Sequence, residues 1–288
     1  MIPTQFEYIA AKNLDDALSL LAQHKDHAKL LAGGHSLLPA MKLRLMQPQV
    51  LIDIGKLKDL SYIREEGGQL RIGAMTTHYQ IESSDLLHRL CPLLPETASH
   101  LGDVQVRNKG TIGGSLAHSD PAADWPAAIL ALDAELVVKG PKGERTIKAG
   151  QFFVDMLTTA LDSQEILREI RITPPKGHVG QSYMKVRHPA SGFAVVGIAV
   201  SLTLDSAGKC QSAGVGITGA SAKAYRASGV ESALKGSALD DKSLSAAAAH
   251  AFDGITANAD LYASAEYRKQ LTEVYTRRAL AAAASRVK

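Results

Sequence analysis

The chemistry this sequence offers is concentrated in two short glycine-rich segments, Ala32-Gly33-Gly34-His35-Ser36 and Thr111-Ile112-Gly113-Gly114-Ser115. Glycine lets a backbone come close to a ligand and adopt positive φ. Successive amides then converge on one point and form an anion-binding concavity, to which a helix N-terminus adds partial positive charge. One such turn holds one phosphate group, and two facing turns hold a pyrophosphate. A hydrogen bond to a charged group contributes about 1.5–3 kcal/mol. Five or so amides therefore supply on the order of 10 kcal/mol, before association costs of ~4 kcal/mol or more. That suffices for a tightly held nucleotide without a lysine clamp. The forms G-x-x-x-x-G-K-[ST] and G-x-G-x-x-G are both taken as absent from the chain, so P-loop and standard Rossmann sites are disfavoured. A lone Gly-Gly pair is most often a structural turn; the pair of segments is the more specific signal.

The elements that must position these segments follow from periodicity. The first fifty-odd residues read as strand, helix, strand, helix, strand. Asn13 caps a helix carrying Leu14, Ala17, Leu18 and Leu21. The run Ala28 to Leu31 is a buried strand ending at Gly33-Gly34. Ser36 opens a helix with Leu37, Met41 and Leu45 on one face, and Val50 to Ile54 is a second buried strand. This alternation predicts a small α/β unit with parallel pairing. Gly67-Gly68 then marks a hairpin. A helical region follows over about Thr77 to Leu101, interrupted at Pro92 and Pro95. The second glycine segment comes next, with a helix expected some residues behind it, over Pro121 to Leu132. Strands are predicted at Ala134 to Lys139, Arg145 to Lys148 and Ile166 to Ile172. The punctuation Pro174-Pro175-Lys176-Gly177 marks a boundary. Beyond it, Ser182 to Arg187, Phe193 to Leu204 and Lys209 to Thr218 form a three-stranded antiparallel meander. Helices over about 226–235, 241–252 and 263–285 close the chain. The expected fold class is α+β, with a unit over 1–176 (parts about 1–55 and 56–176) and a unit over 177–288.

Composition narrows the classes. The chain has 288 residues, 45% hydrophobic and 21% charged, with a formal net charge of +3. That is ordinary globular composition and too balanced for a dedicated nucleic-acid binder. Two cysteines, Cys91 and Cys210, are too few for an all-cysteine iron–sulfur cluster, which takes four thiolates. Sparse thiols and an N-terminus without an apolar signal region point to a reducing, cytoplasmic compartment. The longest apolar run, Phe193 to Val200, is far short of the ~20 residues of a membrane span.

With LLAGGHSLLPAMKLR and QVRNKGTIGGSLAHSDPAADWPAAILALDA on the page, the chain resembles the FAD-binding medium subunits of the molybdenum hydroxylases, the family of aerobic carbon monoxide dehydrogenase and xanthine dehydrogenase. The likeness extends over MIPTQFEYIAAKNLDDALSLL and IREEGGQLRIGAMTT, and so over essentially the whole chain. It implies a two-part FAD domain of the vanillyl-alcohol-oxidase (PCMH) type, followed by a C-terminal antiparallel sheet with helices. By resemblance, Ala32, Gly33, Gly34, His35, Ser36, Thr111, Ile112, Gly113, Gly114 and Ser115 wrap the FAD pyrophosphate, with FAD held non-covalently. Relatives often carry Asn where Ser115 stands. Leu101 matches an apolar flavin contact. Asp124 matches an acid that accepts from a flavin hydroxyl, an acid that at a helix start also complements the helix dipole. Leu161 and Lys185 match further contacts, Lys185 bringing a cation across the boundary to stabilise reduced flavin.

The resemblance implies an oxidoreductase subunit that transfers electrons from [2Fe–2S] clusters on a small partner to an outside acceptor. The molybdopterin sits on a large partner, and the whole forms a dimer of heterotrimers. No residue of this chain is expected to act as a catalytic acid or base, and no metal is expected on it. The alternative is a stand-alone flavin oxidase, for which no base stands beside the glycine segments.

Overall fold

A computed structural model describes all of residues 1–288. The N-terminal alternation is realised as β1 (Glu7–Ala10), α1 (Leu14–His24), β2 (Ala28–Leu31), α2 (Leu37–Lys42) and β3 (Val50–Asp53). The three strands are parallel in the order β1-β3-β2. The Asn13 side chain accepts from Asp16 N–H and starts α1. Leu14, Ala17 and Leu21 then pack on Val50, Ile52 and Ile54. Helix α2 is shorter than its apolar spacing implies. Arg44, at φ +59°, ends it, and Leu45 is left 77% exposed instead of continuing the buried face.

The middle of the chain builds a five-stranded antiparallel sheet. A hairpin joins β4 (Ile63–Glu66) and β5 (Gln69–Gly73), with Gly67 and Gly68 both at positive φ, as a tight two-residue turn requires. Six short helices follow: α3 (His78–Glu82), α4 (Asp85–Leu90), α5 (Leu93–Ser99), α6 (Val104–Lys109), α7 (Ile112–His118) and α8 (Trp125–Ala131). The region expected over 77–101 with breaks at Pro92 and Pro95 is thus three helices, and Pro95 breaks none of them, because it lies in the first turn of α5, where a missing N–H costs nothing. Thr77 and Ser84 each start a new one by side-chain capping, and Pro92 starts the third. The sheet is completed by β6 (Glu135–Gly140) and β7 (Gly143–Lys148), then, after α9 (Ala149–Phe152), β8 (Phe153–Asp155) and β9 (Thr158–Thr159), by β10 (Ile166–Ile172). Its order is β4-β5-β10-β6-β7.

The C-terminal part is a four-stranded antiparallel sheet: β11 (His178–Arg187), β12 (Ala194–Leu204), β13 (Cys210–Thr218) and β14 (Tyr225–Arg226). The fourth strand corrects the three-stranded expectation. At two residues it is too short to show a period, and it overlaps the helix expected from 226, which starts at Ser228. Helices α10 (Ser228–Leu234), α11 (Asp241–Ala248) and α12 (Ala265–Ser285) pack on this sheet. Its other face joins the main core, where Tyr183 and Ala199 are buried with Trp125, Ile129 and Phe152.

The expectation that G-x-G-x-x-G is absent is corrected: the spacing occurs once, at Gly214-Val215-Gly216-Ile217-Thr218-Gly219. It is not a phosphate loop. Gly214 and Gly216 lie within β13, and a β-carbon on either would fall inside the van der Waals envelope of Ala131 O or Ala127 O on α8. These glycines let a helix backbone rest directly on a strand. Gly216→Val is expected to force the two apart and cost about 1–3 kcal/mol, the usual penalty of overpacking. A fall in the urea midpoint at unchanged slope would show it; an unchanged midpoint would mean the contact is not tight.

Both thiols are buried, Cys91 at 0% and Cys210 at 2% exposure. Burial pushes the Cys91 thiol up to about 12. Neither is expected to react with a thiol reagent until the protein unfolds, which a reagent titration with and without denaturant would check.

Candidate cofactor site

The two glycine segments, far apart in sequence, meet in space. A β-carbon on Gly33 would overlap Lys109 O and lie 2.8 Å from Gly110 Cα. One on Gly114 would lie 3.5 Å from Ala32 Cβ. The loop after β2 is therefore seated against the strand-like approach to α7, and only glycine permits the seat.

The two segments present different things. In the first, the backbone N–H groups of Ala32, Gly33, Gly34, His35 and Ser36 donate to no acceptor within the chain. Gly34 sits at φ +79°, in the left-handed region. Here is the row of free amides that an anion needs. The second segment is not a turn with a helix further on. Helix α7 begins at once, at Ile112, with Thr111 as its N-cap. Its first amides are already used. Thr111 Oγ1 accepts from Gly114 N–H at 3.2 Å, Ile112 N–H donates to Thr76 O and Gly113 N–H to Ala74 O. Tertiary hydrogen bonds to the turn after β5 took these donors, which no local pattern reveals. The second segment is a close-packed wall, with Gly113 against Ala74, and it leaves only the Thr111 N–H free.

Asp124 is the N-cap residue of α8, yet its side chain caps nothing there. Its carboxylate accepts from Tyr183 Oη at 2.5 Å and from Lys185 Nζ at 2.9 Å, both on β11. Lys185 Nζ also donates to His100 O at 3.1 Å, next to Leu101. The Lys185 side chain is 1% exposed and that of Asp124 3%. Burial pushes the carboxyl up and the ammonium down, and each opposes the other's shift. The helix expected from Pro121 starts only at Trp125, because the preceding backbone is used elsewhere. Asp120 Oδ1 accepts from Ala122 N–H, and Thr218 Oγ1 donates to Pro121 O and Ala123 O.

Leu101 is buried at 8% and its carbonyl accepts from Arg107 Nη1 at 3.1 Å. Leu161 packs on the same core as Leu101, just after β9, which lies against α7. His35 is exposed and Ser36 makes no cap. The structure thus gathers Ala32–Ser36 with Lys109–Ser115, and separately Leu101 with Asp124 and Lys185. His78, which sequence reasoning passed over, joins the two groups. Its N–H donates to Gly110 O, and its ring accepts from Trp125, the neighbour of Asp124. Sequence reasoning also missed a cleft of about 460 Å³ lined by Pro121, Ala122, Met156, His188, Phe193 and Arg268. Its walls come from six separate stretches of chain.

Residues 4–175 match the family described as "FAD binding domain in molybdopterin dehydrogenase". Residues 181–283 match the "CO dehydrogenase flavoprotein C-terminal domain". The chain belongs to the FAD-binding medium subunits of the molybdenum hydroxylases. It is 40% identical over 286 residues to the carbon monoxide dehydrogenase medium chain of Hydrogenophaga pseudoflava, covering 99% of each. It is 35% identical to the nicotine 6-hydroxylase medium subunit of Paenarthrobacter nicotinovorans, covering 97% of each. Among solved structures, a carbon monoxide dehydrogenase from Hydrogenophaga pseudoflava lacking the Mo-pyranopterin moiety superposes with a TM-score of 0.97 at 41% identity, over 100% of both chains. Quinoline 2-oxidoreductase from Pseudomonas putida 86 superposes at 0.93 with 29% identity, over 99% of each. The PCMH-type fold, the FAD cofactor and the role as an oxidoreductase subunit follow from this membership. The residues present fit the cofactor: a row of unpartnered amides faces a glycine wall that side chains would fill. No helix is long and apolar enough to cross a membrane.

Proposed function

We propose that residues 1–176, in parts of about 1–55 and 56–176, hold FAD non-covalently, and that 177–288 close the site from the C-terminal side. The observation that carries this reading is the row of free amides from Ala32 to Ser36, seated by Gly33 against Lys109–Gly110. These amides bind the diphosphate, each bond contributing about 1.5–3 kcal/mol. Thr111, Ile112, Gly113, Gly114 and Ser115 form the opposite wall. Ser115 offers a hydroxyl that has no partner within the chain.

Asp124 has two of its roughly four acceptor positions filled and keeps capacity for a ligand hydroxyl. Lys185 holds a positive charge at the junction of the two halves, anchored by Asp124 and His100 O. Leu101 and Leu161 supply apolar contact. When bound, FAD supplies the redox chemistry. The chain supplies binding, orientation and a fixed field, and no general acid or base.

We extend the reading to the complex around it: a small subunit carrying [2Fe–2S] clusters, a large subunit carrying molybdopterin, and a dimer of such heterotrimers in the cytoplasm. Electrons reach this subunit from the small one and leave to an outside acceptor. The relatives' names range over carbon monoxide, nicotine and quinoline chemistry, so the oxidised substrate belongs to the large subunit's pocket. The test is FAD titration of the purified chain, followed by visible spectroscopy of the assembled complex as its substrate is added. An oxidised-flavin spectrum that bleaches only in the complex supports the reading. Turnover by the chain alone would replace it with an oxidase.

A further inference from the structure

Trp125 is fully buried, and its Nε1–H donates to His78 Nδ1 at 3.0 Å. An indole nitrogen is only ever a donor, so Nδ1 of His78 must be the acceptor and its proton sits on Nε2. The residue is 4% exposed, and burial first, then the nearby His35 and Arg107, holds the ring neutral, with a pKa lowered to about 3. Arg107 is itself paired with Glu82 at 2.7 Å. The Nε2–H has no acceptor anywhere in the chain. It lies over Gly110, where a β-carbon would stand 2.6 Å from Nε2, and Gly110 is part of the seat that receives Gly33.

We propose that His78, locked as its Nε2–H tautomer by Trp125, is a further cofactor-binding residue that donates to an oxygen of the dinucleotide's diphosphate bridge. The inference rests on the FAD reading above. Its logic is preorganisation. A buried neutral ring with one nitrogen already committed can present its other nitrogen only as a donor, and an anionic oxygen is the strongest acceptor for it. A protonated ring would carry a charge that this buried position disfavours, and the other tautomer would turn a lone pair toward the anion. Gly110 is needed because any side chain there would displace the imidazole.

Nitrogen-15 NMR of His78 in the full-length wild-type chain, before and after adding FAD, tests the tautomer and the contact directly. The expected result is a proton on Nε2 in both states and a downfield move of that proton on FAD addition. A proton on Nδ1, or no change with FAD, overturns the proposal. His78→Phe keeps an aromatic ring on Gly110 but removes the donor, and FAD affinity is expected to fall about ten- to a hundred-fold. Trp125→Phe releases the tautomer and is expected to lower affinity by less, with both tautomers visible in the spectrum. If His78→Phe folds and binds FAD as tightly as wild type, His78 is structural only and the FAD reading stands. If the wild-type chain takes up no FAD, the cofactor reading falls and the proposal with it.

Discussion

Gly33→Ala is expected to strip the chain of its FAD. The added methyl meets Lys109 O and Gly110 Cα, both backbone atoms that cannot rotate away. The loop after β2 must therefore lift off the approach to α7. Overpacking of this kind costs about 1–3 kcal/mol of stability, which the fold can absorb. The effect on binding is larger. If two free amides lose their line to the diphosphate, about 3–6 kcal/mol of charge-assisted hydrogen bonding goes with them, or roughly two to four orders of magnitude in affinity. The measurement is the flavin-to-protein ratio after FAD reconstitution, with a titration for the dissociation constant. Gly67→Ala is the control. It too replaces a positive-φ or tightly placed glycine, but it stands at an open hairpin with nothing within 4 Å, so stability falls slightly and FAD binding holds. Wild-type FAD affinity in Gly33→Ala would show that the junction of the two segments does not organise the site.

Lys185→Met is expected to be among the most destabilising single changes in the protein. It removes the only cation touching Asp124 and leaves a carboxylate, 3% exposed, with Tyr183 as its one remaining side-chain partner. An uncompensated buried charge of this kind costs about 3–5 kcal/mol. The pH dependence has a definite sign. Burial already raises Asp124, and Lys185 is the largest influence opposing that. Without it the folded-state pKa rises further above the unfolded value. The folded variant then binds a proton that the unfolded chain releases, so its stability increases as pH falls from neutral through the raised pKa toward the ordinary carboxylate range. The gap in melting temperature between variant and wild type should be largest near pH 7.5 and smaller near pH 5. Asp124→Asn combined with Lys185→Met should recover much of the loss, because no buried charge remains. Equal melting of Lys185→Met and wild type at pH 7.5 would mean that the pair is not a compensated buried charge.

These two experiments probe different levels of legibility. Alternation of apolar runs and caps was enough to place β1 to β3, the hairpin at Gly67-Gly68 and the long strands β11 to β13, because each of those elements is stabilised by its own local pattern. The glycine segments were also legible, since only a narrow set of backbone tasks requires Gly33-Gly34 and Gly113-Gly114. Whether the free amides lie in one segment or in both was not. The donors of Ile112 and Gly113 were claimed by Thr76 and Ala74, and partners on another element leave no trace in local spacing. The same holds for Asp124, which reads as an ordinary helix-start acid until β11 brings Tyr183 and Lys185 to it.

By itself, the sequence of this protein determined the class of ligand and the types of its elements, because glycine conformations and apolar periods are properties of neighbours along the chain. Only the tertiary structure decided that His78 stands between the two groups of site residues with one nitrogen committed to Trp125. It also decided that a lysine from the C-terminal sheet is buried against an acid from the N-terminal half. Burial and pairing depend on which surfaces the folded chain brings together, and charge in a dry place is stabilised only by what arrives there from elsewhere.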